Sequence, residues 1–205
     1  RSAGAPTSTP ACRTAAYAMT RTVVETPDAV ALVAEVFREL GYEGASMSSI
    51  TARTKLSKGS LYHFFPGGKE QMAAEIMAHI DAWFVTEMFR PLEEDDPRAA
   101  ILTMWETTDT YFRSGRRVCL IGAFALDETR DRFPSAIQNY FRRWIEALAG
   151  ALTRAGLAAA EARVLAEEAV VGIQGALTLA RALGDDAIFG RTLARLKERL
   201  GAAVE

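Results

Sequence analysis

The residues of this 205-residue chain best suited to chemistry fall in one run, Gly44 to Lys69. The run holds Arg53, Lys55, Lys58 and Lys69, three of the chain's four lysines among them, and no acidic residue. Inside it, Lys58, Ser60, Tyr62 and His63 put a cation, a hydroxyl, a phenol and an imidazole close together. Such a set suits an anionic surface: fixed positive charge attracts phosphates, and short polar side chains hydrogen-bond the groups between them. It does not suit catalysis. The chain offers no nucleophile–base pair, phosphate loop, dinucleotide fingerprint or metal spacing. His63 and His79 are its only histidines, Cys12 and Cys119 its only cysteines, and no Cys-x-x-Cys pair exists. Neither a metal site nor a cofactor is expected from these. Glu167, Glu168, Asp185 and Asp186 read as solvated helix-end charges, so an enzyme is not expected.

The polar residues need a scaffold, and the flanking sequence predicts a helical one. Thr26 as N-cap, Pro27 in the first turn, apolar Val30, Val33, Phe37 and Leu40 at helical spacing, and Gly41 as stop describe a first helix over 27–40. Ser46 is placed to cap a second, short helix ending near Thr54, with Met47 and Ile50 inward. After a turn at Lys55, Leu56 and Ser57, Ser57 caps a third helix over 58–64 whose Leu61, Phe64 and Phe65 face inward. Helix, tight turn and short helix make the helix-turn-helix plan. Lys58, Ser60, Tyr62 and His63 are left on the outside of a helix able to enter a major groove about 12 Å wide. Gly59 lets that backbone come close.

Pro66, Gly67 and Gly68 end the third helix, and Lys69 opens a long one to about Phe89, with Met72, Ile76, Ile80, Phe84 and Met88 as its apolar stripe. An acidic loop from Pro91 to Pro97 is expected to close it. Further helices are predicted over 97–113, 118–127, 134–154, 161–183 and 186–200, and no strand alternation is convincing, so the chain reads as all-α.

Composition fits a globular chain, with 49% hydrophobic and 24% charged residues. The net charge of −2 hides an asymmetry: residues 1–69 carry 8 basic and 5 acidic side chains, residues 70–205 carry 16 and 21. Val118 to Leu126, the longest mid-chain stretch free of charge and strong polarity, is about half of what a membrane span requires. With two cysteines and no span, a cytoplasmic setting is expected. Residues 1–24 read as a disordered arm without the apolar core of a secretory signal. Met19 allows two readings, a native start after an expression remnant or an over-extended start, and Arg1, Arg13 and Arg21 offer a basic DNA-contacting arm as the alternative.

Gly41-Tyr42-Glu43-Gly44-Ala45-Ser46, Ile50, the run Leu56-Ser57-Lys58-Gly59-Ser60-Leu61-Tyr62-His63-Phe64-Phe65-Pro66, and Lys69-Glu70 resemble the N-terminal domain of TetR/AcrR-family transcriptional repressors. The turn Phe65 to Glu70 is one residue longer than the common form and resembles the LmrA/YxaF-like branch. Gly172 to Arg181 is similar to a Glu-Gly-Ala-Leu-x-x-Ala-Arg run of that branch. The resemblance implies a helix-turn-helix DNA-binding domain over 25–70 and a helical ligand-binding and dimerisation domain over 71–205. It makes Lys58, Gly59, Ser60, Tyr62 and His63 the groove-facing set, with Ser46, Ser48 and Lys69 on phosphates. Lys55 stands where glycine is usual, Thr54 where alanine is usual, Ser48 where arginine is frequent, and Leu120 replaces the proline that often follows the Cys119 position. A residue in the Lys55 position that needs positive φ carries a Cβ.

The implied sensor half is rich in bulky apolar residues, from which Trp105, Cys119 and Trp144 are candidate pocket residues for a hydrophobic small molecule. Aromatics at helical spacing serve equally as core. Ala169, Gly172, Ala176 and Ala180 form a small-residue stripe suited to close helix approach across a twofold dimer, or within one subunit. A dimer would space two recognition helices about 34 Å apart on adjacent major grooves. The function expected is a DNA-binding transcriptional regulator: a homodimeric repressor released from a palindromic operator when an inducer shifts the long fourth helix. The alternatives are a helical small-molecule sensor that does not bind DNA, an activator, or a redox-responsive regulator acting through Cys119.

Overall fold

A computed structural model describes residues 25–204, which form α-helices and one π-helical turn, with no strand among the described residues. Residues 1–24, and with them the expected arm, lie outside the described residues. Helix α1 (Thr26–Gly44) starts one residue earlier than predicted: Glu25 is the N-cap and makes no side-chain cap bond, while Thr26 and Pro27 lie in the first turn. Gly41 takes the left-handed conformation expected of a stop (φ 70°, ψ 175°), but another turn follows it, closed by the Ala45 N–H donating to the Gly41 carbonyl at 3.2 Å. The added turn turns Tyr42 inward, where its ring packs edge-on against Phe124 and Phe133 and tilted against Phe37. The backbone thus bends instead of ending, because a large ring is buried just past the bend.

Helix α2 (Met47–Thr54) is capped by Ser46, whose Oγ accepts from the Ser49 N–H, and α3 (Lys58–Phe64) by Ser57, whose Oγ accepts from the Ser60 N–H. Between them Lys55 is left-handed, φ 62° and ψ 8°. A side chain there costs about 1–2 kcal/mol relative to glycine. Thr54 supplies compensation: its hydroxyl donates to the Ile50 carbonyl at 2.7 Å and accepts from the Leu56 N–H at 3.2 Å, tying the turn at both ends. The two departures from the family pattern are therefore coupled, since alanine at 54 could make neither bond.

Gly68, also left-handed (φ 67°), opens α4 (Gly68–Phe84), and the lengthened turn before it depends on that glycine. The predicted stripe of Met72, Ile76, Ile80, Phe84 and Met88 is buried throughout. The helix does not close at Pro91. A π-helical turn (Val85–Phe89) leads into α5 (Arg90–Glu94), with Pro91 in the first turn of α5, where a missing N–H costs little. Then come α6 (Pro97–Tyr111), capped by Asp96, α7 (Leu120–Phe124), the unpredicted single turn α8 (Thr129–Arg132), α9 (Pro134–Arg154), α10 (Ala159–Leu183) and α11 (Ala187–Val204). Phe84 centres the core. Rings of Trp83, Phe89, Tyr111, Phe112, Tyr140 and Trp144 lie 4.7–6.4 Å from its own. One buried apolar cluster runs from α1 to α11, so the division expected at residue 70 falls within a continuous core.

Helix α10 packs on α9 and α11 of the same chain. Ala169, Ala176 and Ala180 are at most 2% exposed there, and a Cβ on Gly172 would meet Leu196 at 2.8 Å. The small-residue stripe therefore brings this chain's own helices together, a correction to the expectation that it faces a partner. The close approach that small side chains permit is taken up by α9 and α11 inside the subunit.

Candidate nucleic-acid interface

Leu61 and Phe65 are fully buried and Phe64 is half-buried, which anchors α3 by one face. The opposite face carries Lys58, Gly59, Tyr62 and His63, all exposed, with Ser60 half-buried. Lys58 Nζ lies 6.0 Å from the centre of the Tyr62 ring, and the His63 ring meets Phe64 edge-on at 5.5 Å. Tyr62 remains 44% exposed, a large aromatic held outside the core by the helix that presents it. A Cβ on Gly59 would meet nothing closer than Ser57 Oγ at 3.8 Å, so the fold itself has room for alanine there. The clearance glycine gives serves whatever lies outside the chain.

The two serines expected on phosphates are engaged differently. Ser46 Oγ is 3.0 Å from Ser49 Oγ besides capping α2, while Ser48 is exposed with no described hydrogen-bond partner. Ser60 Oγ is 2.8 Å from Ser57 Oγ. Ser49, which sequence reasoning passed over, fastens the start of α2 by donating to the carbonyls of Ser46 at 2.9 Å and Gly44 at 3.3 Å.

The four cations of the acid-free run do not act alike. Arg53 is paired with Glu39 of α1. Lys69 lies over Tyr42, its Nζ 4.3 Å from the ring centre, donating to the Tyr42 carbonyl at 3.1 Å with Glu43 at 3.6 Å. It joins α4 to the bend in α1, one donor being spent there. Lys55 and Lys58 are exposed and have no carboxylate partner among the described residues. Net positive charge is thus concentrated at the turn of the helix-turn-helix and the first residue of α3, the part that would approach a phosphate backbone first.

Trp105, Cys119 and Trp144 are at most 5% exposed and line neither of two cavities, one between α1, α4 and α6 and one beside Met77 and Phe133. They are core here, a correction to their expected place in a pocket, because the aromatic cluster about Phe84 fills the space between α4, α6 and α9. Cys119 caps α7, its Sγ accepting from the Gly122 N–H at 3.3 Å. A helix N-terminus favours thiolate, but burial dominates and pushes this thiol above its usual value. Such a thiol is a poor redox sensor. The cavity of about 250 Å³ lies elsewhere, between α1, α4 and α6, and is lined by Arg38, His79, Trp83, Tyr111 and Arg117 among others. Arg38 was missed by sequence reasoning, although a lone charge on the apolar side of α1 beside Ala34 and Phe37 was a readable signal.

No described helix is long and apolar enough to cross a membrane, and no cluster of three potential metal ligands occurs among the described residues. A family model described as bacterial regulatory proteins, tetR family, matches residues 31–76, and one for the LmrA/YxaF-like transcriptional regulator C-terminal domain matches residues 97–194. The chain is 29% identical over 166 residues to an uncharacterized HTH-type transcriptional regulator of Mycobacterium tuberculosis, covering 76% of this chain and 84% of that one. It is 27% identical over 149 residues to the regulator YxaF of Bacillus subtilis, covering 70% and 78%. The fold is like that of a TetR transcriptional regulator from Legionella pneumophila, with a TM-score of 0.71 at 21% identity over 87% of this chain and 98% of that one. The N-terminal match ends in α4 and the C-terminal one begins with α6, so the helix-turn-helix and the helical body each carry their own likeness. The chain belongs to the TetR family, in its LmrA/YxaF-like branch, and is a DNA-binding transcriptional regulator, not an enzyme.

Proposed function

We propose that this regulator is a homodimeric repressor that holds a palindromic operator through α3 and lets go when a small molecule with an apolar body binds its helical body. The observation that carries the reading is the division of α3 into two faces, Leu61 and Phe65 buried, Lys58, Gly59, Tyr62 and His63 outward, in a stretch with no acidic residue. Tyr62 and His63 reach base edges, Lys58 and Lys55 meet phosphates, and Ser48 adds a neutral phosphate contact.

Dimerisation is supported by a different face of α10 from the one its alanines suggested. Val164, Val171, Leu179 and Leu183 are 51–70% exposed along the outer side of that helix, and nothing lies within 4 Å of a Cβ built on Gly175 between them. Apolar side chains in a row on a helix exterior favour association. A twofold dimer joined there carries two α3 helices, one from each protomer.

Binding of a duplex carrying the DNA upstream of the regulator's own coding region tests the reading. Lys55 and Lys58 from two protomers neutralise about four phosphates, so log affinity against log salt should slope near −3.6, on the order of a hundredfold loss between ~50 and ~200 mM salt. A flat salt response would leave only a DNA-free sensor.

A further inference from the structure

The cavity between α1, α4 and α6 contains a charge arrangement that DNA binding does not use. Glu35 accepts from two guanidinium groups, Arg38 Nη1 at 2.8 Å and Arg117 Nη2 at 2.9 Å. Arg38 also donates to the Tyr111 hydroxyl at 3.3 Å, and Arg117 lies over the Tyr111 ring, 4.7 Å from its centre, and donates to the Tyr111 carbonyl at 3.4 Å. Two cations share one carboxylate, leaving one positive charge uncompensated. The Arg38 side chain is 5% exposed, and both Arg38 Nε and Arg117 Nε are buried without a hydrogen-bond partner. A guanidinium pair with both Nε groups buried and unpaired is costly unless another acceptor completes it.

The rest of the cavity shows what kind of acceptor fits. Trp83 stacks on Tyr111 with ring centres 4.5 Å apart and interplanar angle 34°, which gives the cavity a flat aromatic wall, and Ala34 and Ile80 add apolar surface. His79 and Thr110 stand at an exposed rim. At about 250 Å³ the space falls just below the usual range for drug-sized ligands, which suits a single ring.

We infer that this cavity binds a small aromatic carboxylate, its carboxyl group completing the Arg38–Arg117 pair and its ring lying along Trp83. The inference rests on the ligand-release reading above and names the ligand class and site for it. The site also joins the two halves of the molecule. Arg38 and Glu35 belong to α1 of the DNA-binding part, while Arg117 belongs to the segment between α6 and α7, which passes through left-handed Arg113 and Ser114 (φ 51° and 53°). A ligand carboxylate competes with Glu35 for Arg117, so the bound state loosens one polar contact between α1 and the body. The ligand shifts the balance between DNA-bound and free forms only by that difference in affinity.

Calorimetric titration of the full chain with sodium benzoate and with benzamide, its neutral isostere, tests the site. Benzoate should bind about tenfold or more tightly than benzamide, as expected for hydrogen bonds to charged groups. Arg117→Gln, at a partly exposed position, should erase that preference with helix content unchanged. Glu35→Gln should raise benzoate affinity several-fold by freeing both guanidinium groups, a gain that a damaged fold cannot imitate. Equal binding of the two probes, a preference that survives in Arg117→Gln, or no gain in Glu35→Gln would each overturn the inference. Duplex binding followed in the same samples separates the two readings. If benzoate binds as expected and the duplex stays bound, the anion site stands and ligand release falls. If the wild type holds no duplex while benzoate binds, the DNA reading alone falls.

Discussion

Replacing Tyr62 and His63 together by alanine is expected to lower affinity for the specific duplex by at least about a hundredfold, with helix content and oligomeric state unchanged. Base-edge contacts contribute about 1–3 kcal/mol each to discrimination, and a dimer loses every such contact twice. The fold is insensitive to the change because both side chains project from α3. Tyr62 is 44% exposed with Lys58 Nζ 6.0 Å from its ring centre, and the His63 ring meets only the edge of Phe64 among described aromatic contacts. What keeps α3 in place is its Ser57 cap and the burial of Leu61 and Phe65, none of which the double change alters. Fluorescence anisotropy against the specific duplex and a scrambled one, with circular dichroism alongside, measures both halves. The scrambled duplex should be bound much as before, since Lys55 and Lys58 remain. Undiminished specific affinity would place base reading on another element.

The second large effect concerns the outer face of α10. Val171→Glu with Leu179→Glu should convert the proposed dimer to a monomer, raising its dissociation constant by at least about a hundredfold, because two carboxylates per protomer would be buried unpaired against the partner. Both positions are more than half exposed in the single chain, so the monomer itself should keep its thermal midpoint. Sedimentation velocity across a concentration series reads the association. Affinity for a palindromic duplex should fall with it towards the non-specific level, since one α3 alone engages one half-site. A stable dimer in this variant would move the interface off this face. The buried stripe of the same helix gives the contrast: enlarging Ala176, 2% exposed, would strain α10 against its own neighbours instead.

Much of this molecule is written locally and is legible for that reason. Ser46 and Ser57 cap α2 and α3 at the expected places, the α3 bounds are as predicted, and the five apolar residues from Met72 to Met88 are all buried. Each depends on bonds or spacing within a few residues. The failures come where a second segment decides. Gly41 is left-handed as a helix stop should be, yet the chain turns on because Tyr42 finds Phe124 and Phe133 to pack against. Pro91 sits inside a helix because the π-helical turn before it resets the backbone, and a one-residue widening leaves hardly any trace in a 3.6-residue pattern.

The site shows the same division. Counting charge over Gly44 to Lys69 finds four cations, but Glu39 and Glu43 lie just outside that run and take up Arg53 and partly Lys69. The alanine stripe on α10 correctly signals close helix approach, yet composition cannot say whether the approaching helix belongs to the same subunit, and here it does. Trp105 and Trp144 carry the residue types of a pocket and the packing of a core; only their neighbours distinguish the two. Arg38 is the converse, a charge in an apolar stripe whose meaning depends on Glu35 and on Arg117, far away in sequence.

Selection of bound sequences from a pool of random duplexes by the full chain tests most directly the claim that two copies of α3 read DNA. The expected product is a palindrome whose half-sites are centred about one helical turn, ~34 Å, apart, with information concentrated in the half-sites. Changing Tyr62 and His63 should degrade those positions first. A pool that stays random, or an enriched motif without twofold symmetry, would contradict a dimeric reader built on α3.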